Sequence, residues 1–152
     1  MKAVLDTNVW LDLALFEDPA AMTLRAALDE DRMHVLATRR MRDELAAVLA
    51  RPAVLAQADI ARSRRGLDAR RPEQALEVFD AHARLVVAEK PCGLICTDPD
   101  DQCFLDLAVG QRARWLLSKD RALLRLARRA RTLHGLLIGP TALLPGPYNP
   151  GA

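Results

Sequence analysis

The chain has 152 residues, of which 51% are hydrophobic and 28% charged, with a net charge of +2. That is enough for one domain with a sizeable core, and the balance is the profile expected of a soluble globular protein. No stretch approaches the roughly 18 unbroken apolar residues of a transmembrane helix, and Asp6 interrupts the first apolar run too early for a signal peptide, so the expectation is a cytoplasmic protein with no membrane partner.

In chain order, Lys2–Asp6 is predicted as a buried strand. Val9–Phe16 and Ala20–Glu30 read as helices, the second started by Asp18-Pro19. His34–Ala37 is a short strand. Thr38 is placed to N-cap a helix running to about Ala50 and stopped by Pro52. Val54–Arg65 and Pro72–Ala83 read as helices, separated by breaks at Gly66 and Pro72, and Arg84–Ala88 as a strand. Pro91–Asp100 is a loop with room for a very short strand at Leu94–Cys96. Asp101–Gly110 is a helix, Trp115–Ser118 a strand, Asp120–Arg129 a helix and Gly135–Ile138 a last strand. Thr141–Leu144 forms one closing helical turn. Residues 1–144 are taken as one domain and Pro145–Ala152, rich in Pro and Gly, as a loose tail. Strands alternating with helices predict a parallel sheet with helices on both faces.

Four acids sit where folding alone does not want them. Asp6 closes the first apolar strand. Glu44 falls at helical spacing with Met41, Leu45 and Val48, Asp101 with Phe104, Leu105 and Ala108, and Asp120 with Leu123, Leu124 and Ala127. A carboxylate on a core-facing stripe is costly unless it is paired or binds a metal. Each also has a plain explanation: Asp6, Asp101 and Asp120 suit helix N-termini, and Glu44 can tilt to solvent. Taken together, however, Asp6, Asp101 and Asp120 follow strands of a parallel sheet and so belong on its carboxyl edge, where such sheets bind ligands. Glu44 points inward from its helix, within reach of that edge. Four neighbouring carboxylates repel one another, and divalent metal removes the repulsion. All-oxygen ligation suits Mg²⁺ or Mn²⁺, one or two ions.

Other chemistries fit less well. The two serines, Ser63 and Ser118, stand in no nucleophile elbow, and there is no Gly-rich phosphate loop. His34, His82 and His134 lie away from the acids in the pattern. Cys92, Cys96 and Cys103 are read as reduced, small, buried hydrophobes, with no role assigned; their spacing with His82 matches no usual zinc pattern. Of the 22 basic residues 19 are Arg, the better residue for gripping phosphate, bunched at Arg39-Arg40-Arg42, Arg62-Arg64-Arg65, Arg70-Arg71 and Arg121 to Arg131. Aromatic residues are scarce, which argues against a base-stacking sheet of the RNA-recognition kind.

The residues resemble those of the PIN domain, and within it the VapC-like ribonucleases found as toxins of type II toxin–antitoxin pairs. Val4-Leu5-Asp6-Thr7-Asn8-Val9 is similar to the first motif of that family, Arg42-Asp43-Glu44-Leu45 carries its second acid, Asp101 to Ala108 its third, and Ser118-Lys119-Asp120 its Thr/Ser-x-Asp motif. Pro140-Thr141 resembles the family's ending. The resemblance runs from Lys2 to about Leu144. It implies a three-layer α/β/α fold on a parallel sheet of about five strands, and metal-dependent cleavage of single-stranded RNA. It also implies a homodimer and a cognate antitoxin. Asp6, Asp101 and Asp120 would then be metal ligands, with Glu44 a ligand or a water-orienting acid. Asn8 and Ser118 would hold a carboxylate or water in place, and Arg39 and Arg40 would meet RNA phosphate. Asp98 and Asp100 compete with Asp101 for the third position. Asp101 is preferred because only it falls on the apolar stripe, while Asp98 is placed to join a second metal.

Two other functions fit parts of the pattern. One is a non-catalytic PIN-like module binding RNA or protein. The other is a metal-dependent phosphatase of the haloacid-dehalogenase kind, which needs a carboxylate where this chain has Asn8.

Overall fold

A computed structural model describes residues 1–145. The tail from Gly146 to Ala152, expected to be loose, lies outside the described residues. Among the described residues no helix is long and apolar enough to cross a membrane.

Five parallel strands form one sheet: β1 (Lys2–Leu5), β2 (His34–Ala37), β3 (Ala83–Leu85), β4 (Trp115–Leu117) and β5 (Leu137–Gly139), in spatial order β3-β2-β1-β4-β5. Val4 pairs with Leu116, Ala3 with Val35 and Leu116 with Ile138. The three inner strands bury nearly every side chain, as a parallel sheet covered on both faces requires. The expected three-layer α/β/α arrangement is what the chain adopts.

The helices are α1 (Thr7–Leu11), α2 (Met22–Asp29), α3 (Arg39–Leu49), α4 (Pro52–Arg64), α5 (Pro72–His82), α6 (Gln102–Gly110), α7 (Arg121–Leu124) and α8 (Ala127–His134). Thr38 caps α3 as expected, its hydroxyl oxygen accepting from Met41 N at 3.3 Å. Pro52 stops one helix and begins the next, at the first-turn position where its missing N–H costs nothing. Gly135 closes α8 at φ +65°, a left-handed cap that suits glycine.

Several boundaries differ from expectation. The helix expected over Val9–Phe16 is α1 followed by a π-helical turn, Asp12–Phe16, ending at Glu17 with φ +48°. The single helix expected over Asp120–Arg129 is split into α7 and α8 near Leu126, whose N–H bonds back to the Leu123 carbonyl over three residues instead of four. Leu94–Cys96 is not a strand. Its backbone is satisfied by a side chain: Gln102 donates to the Leu94 carbonyl at 2.8 Å and accepts from Cys96 N at 2.7 Å. Strand β3 stops at Leu85, short of the expected Ala88, although Val86 N still donates to the Ala37 carbonyl at 2.9 Å.

The core is leucine-rich: Leu5, Leu13, Leu45, Leu105 and Leu116 are among its fully buried side chains. Trp10 and Phe79 pack with their rings tilted by 50° and their centroids 4.6 Å apart, fastening α1 to α5. Outside this core one ionic clamp fixes the π-helical turn. Arg62, 7% exposed, reaches Glu17 at 2.8 Å, and Arg70 meets the same carboxylate. Arg65 donates to the Glu17 carbonyl at 2.6 Å and to the Phe16 carbonyl. Burial opposes the Glu17 charge, but hydrogen bonds and charge from Arg62 and Arg70 outweigh it and hold the carboxyl below its ordinary range.

Candidate metal centre

Because all strands are parallel, their carboxyl ends share one edge. The strand order reverses direction between β1 and β4, and this is the crevice where open α/β sheets place ligands. Asp6 follows β1 there, and Ser118 and Asp120 follow β4. Asp98 and Asp101 reach the same place from the 3₁₀ turn Pro99–Asp101 before α6, which packs on β1 and β4.

Asp6 is 4% exposed. One carboxylate oxygen caps α1 by accepting from Val9 N at 2.8 Å, and the other accepts from the Ser118 hydroxyl. Ser118 in turn accepts from Asp120 N at 2.9 Å, so a single hydroxyl ties the ends of two strands together. Burial pushes the Asp6 carboxyl up, partly offset by the bonds from Ser118 and Val9. Asp120 caps α7 through Ala122 N at 2.9 Å, and Asp98 caps the 3₁₀ turn through Asp100 N at 3.0 Å. Capping and clustering therefore coexist, and neither explanation displaces the other.

Asp101 is different. It makes no cap bond, and its Oδ2 is buried with no hydrogen-bond partner. One carboxylate oxygen each from Asp98, Asp101 and Asp120 lies within 4.8 Å of the others. Burial first, then the charge of Asp120 and a shared-proton contact with its carboxylate, then the charges of Asp98 and Asp6, push the Asp101 carboxyl up to about 7. Three converging acids, one of which carries an orphaned buried oxygen, form a donor set that suits a hard divalent cation.

The other residues singled out by sequence fall around this trio. Asn8 is exposed and Glu44 half-exposed; both line an open cavity of about 750 Å³ that Asp120 also borders. Glu44 does not point into the core as its spacing implied. Its side chain is 41% exposed and pairs with Arg40 at 3.5 Å, on the flank of α3 that borders the cavity with Ala47 and Val48. Arg39 pairs with Asp43 at 3.4 Å, so both arginines are exposed but engaged along their own helix. Asp98 and Asp101, weighed as competitors for one position, are brought together instead. Their spacing of three across a tight 3₁₀ turn was the available signal, since residues three apart eclipse in such a turn.

The histidines lie elsewhere. His34 and His82 face Asp31 and Asp29 at the amino edge of the sheet. The three cysteines are free thiols, and burial pushes all of them up, Cys103 to about 11. Cys103 sits beside the acids as a neutral group.

No curated protein and no solved structure matches the chain. A protein-family model described as the PIN domain matches residues 2–122, which include β1 and the acids Asp6, Glu44, Asp98, Asp101 and Asp120. PIN domains are generally nucleases that use divalent metal ions, and the acidic cluster is compatible with that chemistry. With the match spanning most of the chain and the five-stranded parallel sheet in place, the protein belongs to the PIN-domain family.

Proposed function

We propose that the protein is a Mg²⁺- or Mn²⁺-dependent endoribonuclease that hydrolyses single-stranded RNA. The observation that carries this reading is the convergence of Asp98, Asp101 and Asp120, whose carboxylate oxygens come within 4.8 Å of one another, with one oxygen of Asp101 buried and unpartnered. Asp98, Asp101 and Asp120 hold the metal, with Asp6 completing the acidic floor. A divalent ion held there supplies charge neutralisation at the scissile phosphate and a more acidic water. Ser118 fixes the Asp6 carboxylate and the Asp120 backbone at once, so it positions two acids relative to each other. Glu44 and Asn8, on the cavity wall beside Asp120, orient the attacking water and donate to a phosphate oxygen, respectively. In the cell we place the protein as the cytoplasmic, homodimeric toxin of a toxin–antitoxin pair, held in check by its antitoxin.

The test is cleavage of mixed-sequence single-stranded RNA with Mg²⁺, Mn²⁺ or EDTA, for wild type and Asp6→Asn, with folding checked by circular dichroism. Metal-dependent cutting that falls about 100-fold or more in the variant is expected. Induced expression of wild type, and not of the variant, should arrest growth. Equal cutting by both folded proteins, or no cutting by wild type with either metal, would remove this function.

A further inference from the structure

We propose that the cavity leading from the acidic edge to α4 seats the nucleotide flanking the scissile phosphate, with Gln57 reading its base and Arg51 gripping its phosphate, an assignment that rests on the nuclease reading above. The cavity's 750 Å³ falls within the roughly 300–1,000 Å³ of ligand-binding clefts. It adjoins the candidate metal centre at Asp120, which borders its near end together with Asn8, Glu44 and Asp100. Its walls run away from that end along two helical stretches. Along α3, Glu44, Ala47 and Val48 follow one face, and Arg51 lines the cavity just past the end of that helix, in the extended step into α4. On the opposite wall Asn8, Leu11 and Phe16 follow α1 and the π-helical turn.

The two ends differ in chemistry. The near end is acidic. The far end combines apolar walls, Phe16, Val48 and Val54, with Gln57 and Arg51. Among the described residues no hydrogen bond or ion pair engages the Gln57 amide or the Arg51 guanidinium, whereas Lys119 is committed to Asp12 at 2.6 Å and Arg40 to Glu44. A free amide offers a donor and an acceptor side by side, the pattern that a base edge matches. A free guanidinium offers a fork for phosphate. The aromatic wall is built in advance, because Arg65 holds the Phe16 carbonyl and Arg62 holds Glu17 next to it. One base between apolar walls, one base-reading amide and one phosphate-gripping cation make up a single-nucleotide subsite.

Gln57 and Arg51 are both exposed, so their truncation leaves the core untouched. The experiment compares wild type, Gln57→Ala, Arg51→Ala and, as a charge-matched control on α8, Arg128→Ala. Each is scored for cleavage of a randomised single-stranded RNA pool by sequencing of the products. Each is also scored for binding of labelled U, C and A hexamers by anisotropy across a salt series. Gln57→Ala should flatten the base preference beside the cut by about tenfold. Arg51→Ala should weaken binding of all hexamers about equally and lower the salt slope by about one, while Arg128→Ala does neither. Cutting whose base preference ignores Gln57, or binding weakened as much by Arg128→Ala as by Arg51→Ala, overturns the subsite and leaves the nuclease standing. Binding that depends on Gln57 and Arg51 without any cutting removes the nuclease and, with it, the place of this nucleotide beside a scissile phosphate, leaving an RNA-binding cleft. Neither binding nor cutting overturns both.

Discussion

Replacing Asp101 by Asn should stabilise the metal-free protein and abolish its response to metal. The carboxyl is raised from 3.8 to about 7, because burial and three neighbouring acids disfavour its charge. Between those values the folded protein binds more protons than the unfolded chain, so stability falls as pH rises from about 4 to about 7 and then levels. The full shift sets a ceiling near 4 kcal/mol. Solvent screening at this half-open edge reduces the penalty to about 1–2 kcal/mol at pH 8. Asn keeps the shape, removes the charge and gives the buried position a donor for Asp120. In EDTA at pH 8 its Tm should therefore exceed that of wild type by about 2–8 °C, a chain of this size moving about 2–4 °C per kcal/mol. The difference should vanish near pH 4, where wild type is itself protonated. Added Mn²⁺ should raise the wild-type Tm, as any ligand of the native state does, and leave the variant unmoved. Thermal denaturation followed by circular dichroism from pH 4 to 9, with and without metal, reads all of this. An Asp101→Asn protein less stable than wild type at pH 8 in EDTA would refute the repulsion argument, and one whose Tm rises with Mn²⁺ as much as wild type would refute the place of Asp101 among the ligands.

Two further substitutions test the surroundings. Ser118→Ala removes the hydroxyl that donates to buried Asp6 and accepts from Asp120 N. It should cost about 1–3 kcal/mol in urea unfolding and lower metal affinity about 10-fold by titration calorimetry, whereas an unchanged metal affinity would deny it a positioning role. Glu17→Gln leaves the buried Arg62 without its counter-charge and should cost about 2 kcal/mol, between the values for exposed and buried pairs. Because the Glu17 carboxyl is held below its ordinary 4.5, its contribution is present above that value and lost as pH falls below it. The wild-type advantage over Glu17→Gln in Tm should therefore shrink below about pH 4.5, and a difference independent of pH would place the effect elsewhere.

Much of the fold is legible in the chain because its signals are local. Buried strands announce themselves as short apolar runs such as Val4-Leu5 and Trp115-Leu116-Leu117, and Thr38 and Pro52 mark helix ends through their own backbone chemistry. The weaker boundaries depend on partners distant in sequence. Leu94–Cys96 fails to pair as a strand because Gln102 satisfies its backbone. The π-helical turn at Asp12–Phe16 is held by arginines some 45 residues away, and no local pattern reports that.

For the site, the sequence by itself determined which acids end up on one edge. In a parallel sheet every residue that follows a strand arrives at the same end, so Asp6 and Asp120 were placed by alternation of elements alone. Only the tertiary structure decided how those acids are arranged around one another. Spacing put Glu44 with the core and made Asp98 and Asp101 rivals. Packing rolled Glu44 out to the cavity and folded Asp98 and Asp101 around a 3₁₀ turn onto Asp120. Periodicity ranks side chains by the face they share. The position of a carboxylate oxygen depends on the few ångströms by which one helix leans on its neighbour, and a one-dimensional pattern does not contain that quantity.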